Sequence, residues 1–287
     1  ANAWMNHGIK KERIAYLDAS NNFWIAGESG PCGGDTEIFY WRSEEPVPDV
    51  FNPNDERWVE IWNNVFMQYN KDKDGNVTEL PKKNVDTGMG LERVVAVLEG
   101  VDDNYLSSVW IDIIKKIESM SNVSYEENPE SMRIIADHIR SAVFILADNA
   151  GIRPSTTDQG YILRRLIRRA IRHAKKLNID INSNWEQDIA NMIIDKYIKY
   201  YSEIEANKNI VLEELAKEKI KFNRTLEKGL REFEKITNNI NDGMLNKDLA
   251  FKLYDTYGFP IELTEELAKE KNIKVDIEGF KEKFKAH

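Results

Sequence analysis

Cysteine and histidine are scarce in this chain of 287 residues. Cys32 is the sole cysteine, so no disulfide can form within the chain, and four histidines are too few for a zinc site of the usual cysteine and histidine spacing. The longest strongly apolar run, at residues 143–147, is far shorter than the ~20 residues that cross a bilayer. No basic and apolar leader opens the sequence. We therefore expect a cytoplasmic protein without zinc and without a membrane span.

Positive charge is in short supply overall. The sequence holds 40 Lys and Arg against 49 Asp and Glu, which gives a formal charge of −9 at pH 7. This balance excludes a generally basic nucleic-acid coat protein, although a local basic site is compatible with it. An apolar content of 41% and an aromatic content of 10% can fill two cores at this length, which excludes disorder of the whole chain.

The sequence pattern changes near residue 102. Before it, residues 59–70 form a long run that is apolar on both alternating faces, which predicts a strand in the middle of a sheet. Asp74 and Gly75 then predict a hairpin turn, and a short strand is expected at residues 77–80. We therefore expect an antiparallel sheet in this part of the chain.

Helical periodicity takes over after residue 102, with apolar residues spaced three and four apart. The predicted helices cover residues 103–121, 131–148, 159–177, 184–205, 208–236, 246–257 and 262–272. We predict an α+β fold in which residues 1–102 carry an antiparallel sheet and residues 103–287 form an all-helical domain.

One segment joins a strand to a helix through glycines. In NVDTGMGLERVVAVLEG, residues 84–100, the predicted strand ends at Asp86, Gly88 and Gly90 follow, and a helix with one apolar stripe opens. A glycine lets a ligand come close to the backbone, and Arg93 in the first helical turn can reach a phosphate. The residues alone leave two interpretations open, a nucleotide site and, more commonly, a structural turn.

The predicted helix at residues 159–177 carries the strongest local charge. Between residues 161 and 176 it has seven cations and no acid, with an apolar stripe on the opposite side. Five of the cations are arginines: Arg164, Arg165, Arg168, Arg169 and Arg172. Arginines at positions i, i+4 and i+8 can follow a phosphate backbone, and unbalanced cations repel one another without a polyanion. This favours RNA binding over the alternative, an ordinary solvated face.

Five stretches of the sequence, in order, resemble alanyl-tRNA synthetases, a family of class II aminoacyl-tRNA synthetases. VDTGMGLERV resembles motif 3 of that class in the form found in this family. The others are NNFWIAGESGPCGGDTEIFYW at residues 21–41, EIWNNVFMQYN at 60–70, RIIADHIRSAVFILADNAGIRPSTTDQGYILRRLIRRAIRHAKKL at 133–177 and LYDTYGFPIELT at 253–264. The resemblance covers nearly the whole chain.

The resemblance implies an activity and a set of site residues. It implies that the parent enzyme activates alanine with ATP and Mg²⁺ and transfers it to tRNA-Ala, so alanine, ATP and tRNA-Ala are the expected partners. Asp86 would pair with the amino group of alanine, with Gly88 close by. Three residues would shape the pocket for the methyl group: Trp24, Asn63 and Val65. Gly90 and Arg93 would contact ATP.

The resemblance also implies base recognition in tRNA. The family reads a G·U pair in the acceptor stem, and Asp255 matches a residue that faces the guanine amino group in the minor groove. The partner position, often Asn in the family, is Asp158 here. A carboxylate at that position can accept a hydrogen bond but cannot donate one. The five arginines of the basic helix would hold the RNA backbone.

Two motifs of class II synthetases find no match in the sequence. They are motif 1 and motif 2, the latter with the arginine that binds the α-phosphate. We therefore expect a fragment, inactive on its own, that joins the end of a catalytic domain to a tRNA-recognition domain. Two alternatives stay open: a non-catalytic RNA-binding paralogue, and a different ATP-dependent ligase with the same fold.

Overall fold

The computed structural model describes residues 1–240 and 243–286. The chain forms two compact units, Ala1–Ile111 and Asp112–His287. The residues just after 102 belong to the first unit, where Asn104 accepts a hydrogen bond from Arg42 (Nη1 to Oδ1, 3.0 Å). The predicted α+β fold class is confirmed.

The first unit is built around a four-stranded antiparallel sheet. Its strands, in spatial order, are β1 (Phe23–Ile25), β2 (Gly30–Trp41), β3 (Trp58–Lys71) and β4 (Val77–Met89). Its α-helices are α1 (Asn2–Asn6), α2 (Ala19–Asn22) and α3 (Leu91–Glu99). The long strand predicted at residues 59–70 is confirmed as β3, and it lies between two other strands, as its two apolar faces indicated.

Strand β4 is longer than the sequence suggested. The short strand expected at residues 77–80 and the strand expected to end at Asp86 are one strand that runs to Met89. Pairing with β3 at residues 77–79 and 84–89 outweighs the low strand preference of Gly88, whereas Pro81 lies at the register shift between these two stretches. Among the described residues β4 pairs with β3 alone, and an edge strand of this kind tolerates proline.

The turn between β3 and β4 confirms the hairpin prediction. Asp72 accepts hydrogen bonds from the backbone N–H groups of Asp74 and Asn76, at 2.9 and 2.8 Å. Gly75 has a φ of +90°, a conformation that residues with a side chain rarely adopt. The aspartate and the glycine of the turn therefore have distinct roles in closing it.

The second unit is mostly helical. Its helices are α4 (Ile111–Ser121), α5 (Pro129–Ala147), α6 (Asp158–Lys176), α7 (Trp185–Tyr197), α8 (Ser202–Ala206), α9 (Lys208–Thr237), α10 (Lys247–Tyr257), α11 (Ile261–Glu270) and α12 (Ile277–Ala286). The expectation of an all-helical domain is wrong in one detail, since β5 (Met244–Leu245) and β6 (Lys274–Val275) form a short parallel pair. Strands of two residues are too short to show an alternating pattern.

The sequence prediction omits α12. Its apolar side is marked by few residues, among them Phe280 and Phe284, and their rings pack against Tyr254 of α10 with centroids 5.6 and 5.3 Å apart. Phe280 also lies 6.1 Å from the ring of Phe251. Tertiary contact therefore stabilises a helix that is too short to be stable by itself.

Helices α5 and α6 pack against each other and supply much of the core of the second unit. Side chains that are at most 1% exposed include Ile135, Ile139, Leu146, Leu163 and Ile167. Burial of each such side chain stabilises the fold by roughly 1.5–3 kcal/mol. Within the described parts of the chain, no helix combines the length and the apolar character that crossing a membrane requires.

Gly33 marks a close approach of β2 and β3. The register of the two strands shifts between Cys32 and Asp35, and a Cβ placed on Gly33 would overlap the carbonyl oxygen of Phe66. At the neighbouring Gly34 the nearest atom to such a Cβ is 3.7 Å away, which is an ordinary contact. A side chain is therefore excluded at the first glycine and tolerated at the second.

We predict that Gly33→Ala destabilises the first unit by about 1–3 kcal/mol or more, because β3 must move away to admit the methyl group. Gly34→Ala serves as the control and should change stability little. Denaturant unfolding followed by tryptophan fluorescence measures the difference, since six of the seven tryptophans lie in Ala1–Ile111. Equal stability of the two variants would contradict the prediction.

Candidate functional site

Two cross-strand rows lie side by side on one face of the sheet. The first row consists of Asp35, Val65 and Asp86. The second row consists of Glu37, Asn63 and Gly88. Residues two apart on a strand point to the same face, so the two rows share it. The sheet therefore brings together four of the five residues that the resemblance implies for alanine binding.

Glu37 orients the side chain of Asn63. The Nδ2 of Asn63 donates a hydrogen bond to Oε1 of Glu37 at 3.2 Å, while the buried Oδ1 of Asn63 has no partner among the described residues. A buried acceptor without a donor costs free energy. A Cβ placed on Gly88, in the same row, would meet no atom within 4 Å. The row therefore combines an unsatisfied acceptor with open space, which suits a small ligand that donates hydrogen bonds.

The environment of the two rows is acidic. Burial is the largest cause that raises the pKa of Glu37, and the negative charges of Glu60 and Asp35 raise it further. Asp86 adds an exposed carboxylate. Negative charge gathered on one face attracts a cation, such as an ammonium group.

Val65 and Trp24 occupy different parts of the sheet. Val65 is only 7% exposed and lies in the first row, so it can contact an apolar group of a ligand there. Trp24 lies on β1 opposite Gly33, at the register shift of β2, and is 38% exposed. Trp24 is therefore a member of neither row.

A cavity of about 390 Å³ adjoins β2 in the first unit. Its lining includes Asp35 and Glu37 together with the aromatic side chains of Tyr16 and Phe39. Asp35 and Glu37 are therefore members of the two rows and also line the cavity.

Gly90 and Arg93 lie where α3 begins. Gly90 is the N-cap residue, and no side chain caps the first backbone N–H groups of this helix. Nη1 of Arg93 donates to the backbone oxygen and to a carboxylate oxygen of Glu60, both at 3.0 Å. The start of α3 can therefore hold an anion if Arg93 exchanges Glu60 for it.

The arginines of α6 do not form an open basic face. Arg164, Arg168 and Arg172 are 8%, 2% and 6% exposed, so three of the five are buried and are not presented to solvent. Acids from α9 and α11 pair with all five. The pairs are Arg164–Glu218 at 3.9 Å, Arg165–Glu262 at 2.7 Å, Arg168–Glu218 at 2.5 Å, Arg169–Glu266 at 2.7 Å, Arg172–Glu266 at 3.0 Å and Arg172–Glu270 at 2.7 Å. The protein itself supplies the anions that the row of cations requires.

Arg165 and Arg169 differ from the other three arginines in exposure. Their side chains are 36% and 33% exposed, and both line a cavity of about 760 Å³ together with His138. A partly exposed ion pair contributes about 0–1 kcal/mol, so a phosphate can replace the carboxylate partner. These two arginines therefore remain accessible to an anion from solvent, whereas the three buried ones pack α6 against its neighbours.

Glu266 and His173 lie at the centre of the ion-pair network. Nε2 of His173 lies 2.7 Å from Oε1 of Glu266, and Nδ1 lies 3.0 Å from Oγ of Ser131. A carboxylate can only accept, so Nε2 carries a proton and donates to Glu266. Burial lowers the pKa of His173. Burial acts to raise the pKa of Glu266, but hydrogen bonds from His173 and Arg169 outweigh it and lower that pKa to about 2.

Asp158 and Asp255 are exposed and lie at helix ends. Asp158 is the first residue of α6 and has a φ of +52°, a left-handed conformation uncommon outside glycine. Ser155 braces the turn before it, since its N–H donates to the carbonyl oxygen of Gly160 at 3.0 Å. Asp255 lies in the last turn of α10. Both carboxylates are thus presented to solvent from defined backbone positions.

Sequence reasoning missed the acids that complete both regions. Glu262, Glu266 and Glu270 recur at i, i+4 and i+8 on α11, which matches the spacing of the arginines on α6, so this complementary pattern was a usable signal. Glu37 gave no such signal, because an acid in an alternating strand looks like any solvent-facing residue.

Comparison with known proteins agrees with the motifs. The family model for tRNA synthetases class II (A) matches residues 1–287. The chain is 48% identical over 293 residues to the alanine–tRNA ligase of Borreliella afzelii (strain PKo), with 100% of this chain and 49% of that protein covered. It is 43% identical over 286 residues to the alanine–tRNA ligase of Francisella philomiragia subsp. philomiragia, with 98% of this chain and 32% of that protein covered.

The chain therefore belongs to the class II tRNA synthetase family, as its motifs predicted. The relatives named above are alanine–tRNA ligases, and the chain spans about half of the length of the first and a third of the second.

We predict that the stability of the second unit falls with decreasing pH in two steps. The folded-state pKa of His173 is lowered, so its contribution is complete above the unfolded value near 6.5 and is lost as the pH falls below that value. The pKa of Glu266 is about 2 in the folded state, so its contribution is complete above the unfolded value of 4.5 and is lost as the pH falls toward 2.

Denaturant unfolding at a series of pH values from about 8 to about 3 measures both steps. His173→Gln should remove the first step, because glutamine does not titrate in this range. His7→Gln, at an exposed position in the first unit, should leave it unchanged. A first step of full size in His173→Gln would assign it to another group.

Proposed function

We propose that the chain is part of an alanine–tRNA ligase, with an alanine site on the sheet of its first unit and contacts to the acceptor stem of tRNA on the helices of its second. One observation supports this most strongly: the two cross-strand rows gather Asn63, Val65, Asp86 and Gly88 on one face. The alanine–tRNA ligases that the chain resembles support the choice of amino acid.

The rows suit the groups of alanine. The carboxylate of Asp86 and the unpartnered Oδ1 of Asn63 would accept hydrogen bonds from the ammonium group. The side chain of Val65 would contact the methyl group, and the open space at Gly88 would let the ligand lie close to the backbone. Glu37 would not contact alanine, but its bond to Asn63 Nδ2 keeps the amide oxygen available.

In the proposed reaction a carboxylate oxygen of alanine attacks the α-phosphorus of ATP. A new P–O bond forms, the bond to pyrophosphate breaks, and alanyl adenylate results. A hydroxyl of the terminal ribose of tRNA then attacks the acyl carbon, an ester bond forms, and AMP leaves together with the hydroxyl proton. Arg93 and the uncapped N–H groups of α3 would stabilise phosphate charge. Among the described residues no group of three or more His, Cys, Asp or Glu side chains is placed to hold a metal ion, so no residue is assigned to Mg²⁺.

The second unit would read the acceptor stem of tRNA. The guanine amino group of a G·U pair is a minor-groove donor, and the exposed carboxylates of Asp158 and Asp255 are acceptors that suit it. Arg165 and Arg169 would contact phosphates by exchanging Glu262 and Glu266 for them.

We predict that alanine raises the thermal stability of the chain and that glutamate does not. A ligand that binds only the folded state stabilises it by about 2.7 kcal/mol at a hundredfold excess over Kd, so a ligand that does not bind has no effect. Asp86→Asn should abolish the effect by removing the partner of the ammonium group. Asp102→Asn, an exposed aspartate outside the rows, is the matched control and should retain it. If the wild type binds acceptor-stem RNA but shows no response to alanine, the non-catalytic RNA-binding paralogue becomes the better interpretation.

A second prediction concerns the two partly exposed arginines. Arg165→Ala and Arg169→Ala should each weaken binding to an acceptor-stem RNA and reduce the slope of log K against log salt by up to about one unit. Fluorescence anisotropy at several salt concentrations measures the slope. Lys217→Ala, which removes an equally ion-paired cation from α9, should leave it unchanged. An unchanged slope in both arginine variants would restrict these side chains to packing.

A further inference from the structure

Arg168 is the most deeply buried of the α6 arginines, and its contacts reach the segment that carries Asp255. Nε of Arg168 donates to Oε1 of Glu218 at 2.5 Å, and Nη1 donates to the carbonyl oxygen of Gly258. The guanidinium group lies 4.9 Å from the centre of the Phe222 ring. One side chain therefore joins α6, α9 and the residue that ends α10.

Gly258 closes the helical turn that presents Asp255. It is the C-cap of α10 with a φ of 69°, and its N–H donates to the carbonyl oxygen of Tyr254 at 3.0 Å. A Cβ on Gly258 would overlap the guanidinium of Arg168, so the close approach of the two residues requires glycine. The position of this cap sets the position of Asp255, three residues earlier in the same turn.

A second contact fixes the same turn from α9. Oγ1 of Thr225 donates to the carbonyl oxygen of Tyr257 at 2.8 Å. Two consecutive carbonyl groups, those of Tyr257 and Gly258, are thus held by side chains from two different helices. Backbone carbonyls at a helix end are usually satisfied by water or by the cap itself, so this double restraint is specific to the turn.

The buried pair is better explained by geometry than by stability. Replacing a buried ion pair with apolar residues of similar size is often neutral or stabilising, so Arg168 and Glu218 are not needed merely to hold the core. The same helix α6 begins with Asp158, the other exposed carboxylate of the proposed base-pair contact. Arg168 therefore couples the two carboxylates through one rigid element.

We infer that Arg168 is a positioning residue for recognition of the G·U pair: by holding the Gly258 carbonyl, it fixes the turn of Asp255 relative to Asp158. This inference rests on the proposed function of the two aspartates. Arg168 would not contact the RNA, in contrast to Arg165 and Arg169. Its loss should therefore lower the discrimination between base pairs more than the affinity for RNA in general.

The test uses the full chain and two RNA stem-loops that differ only in one acceptor-stem pair, G·U or G·C. The main variant is Arg168→Met combined with Glu218→Gln, which removes the charges of the pair and leaves an amide oxygen beside the buried Arg164, whose Nε lies 3.9 Å from Oε1 of Glu218. A second variant, Thr225→Val, removes the other restraint on the turn with little change in volume. The control replaces a different buried ion pair, Glu186 of α7 with Lys219 of α9 at 2.9 Å, with two methionines.

We expect the Arg168 double variant and Thr225→Val to lower the ratio of G·U to G·C affinity by at least about threefold, with the affinity for the G·C stem little changed. Asp255→Ala should lower the ratio further, and the Glu186–Lys219 control should keep the wild-type ratio. Circular dichroism at the assay temperature confirms that each variant is folded.

Two results would overturn the inference in different ways. If the wild type prefers the G·U stem, Asp255→Ala loses that preference, and the folded Arg168 and Thr225 variants keep it, then Arg168 has no positioning role. If the wild type shows no preference for G·U, the proposed base-pair contact fails, and the inference fails with it.

Discussion

Buried pairing between arginine and glutamate is the interaction on which the second unit depends. Helix α6 carries a row of guanidinium groups that could not be packed against other helices without anions, because a buried unpaired charge costs several kcal/mol. Helices α9 and α11 supply those anions through Glu218, Glu266 and Glu270. The pairs fix how these helices lie against α6. They thereby also fix the positions of the turns that present the exposed aspartates.

In the first unit the corresponding constraint is strand register. Pairing of β2, β3 and β4 places Asp86 beside Val65 and Gly88 beside Asn63, although more than 20 residues of sequence separate the members of each pair. A shift of one residue would turn each of these side chains to the opposite face. The close approach at Gly33, near the register shift of β2, limits how the strands can slide.

Much of the fold was readable from local pattern. The two apolar faces of β3, the Asp74–Gly75 turn and the periodic stripes of α5, α6 and α9 all lie close to where the sequence placed them. The failures share a cause, because β4 beyond Leu80, the β5–β6 pair and α12 are stabilised by partners distant in sequence. The family motifs supplied the candidate residues, whereas no pattern singled out Glu37 as the partner of Asn63.

The sequence by itself determined the family, the succession of an antiparallel sheet and a largely helical part, and the concentration of positive charge on one helix. Only the tertiary structure decided what that charge does. Counting charges along a chain cannot show which acids come within about 3 Å of each arginine, because these distances are set by helix packing. Glu262 and Glu266 lie nearly a hundred residues from their arginine partners, yet they turn an apparent polyanion-binding face into a largely internal network. Of the five arginines of α6, Arg165 and Arg169 are the two that have an acidic partner and are still partly exposed to solvent.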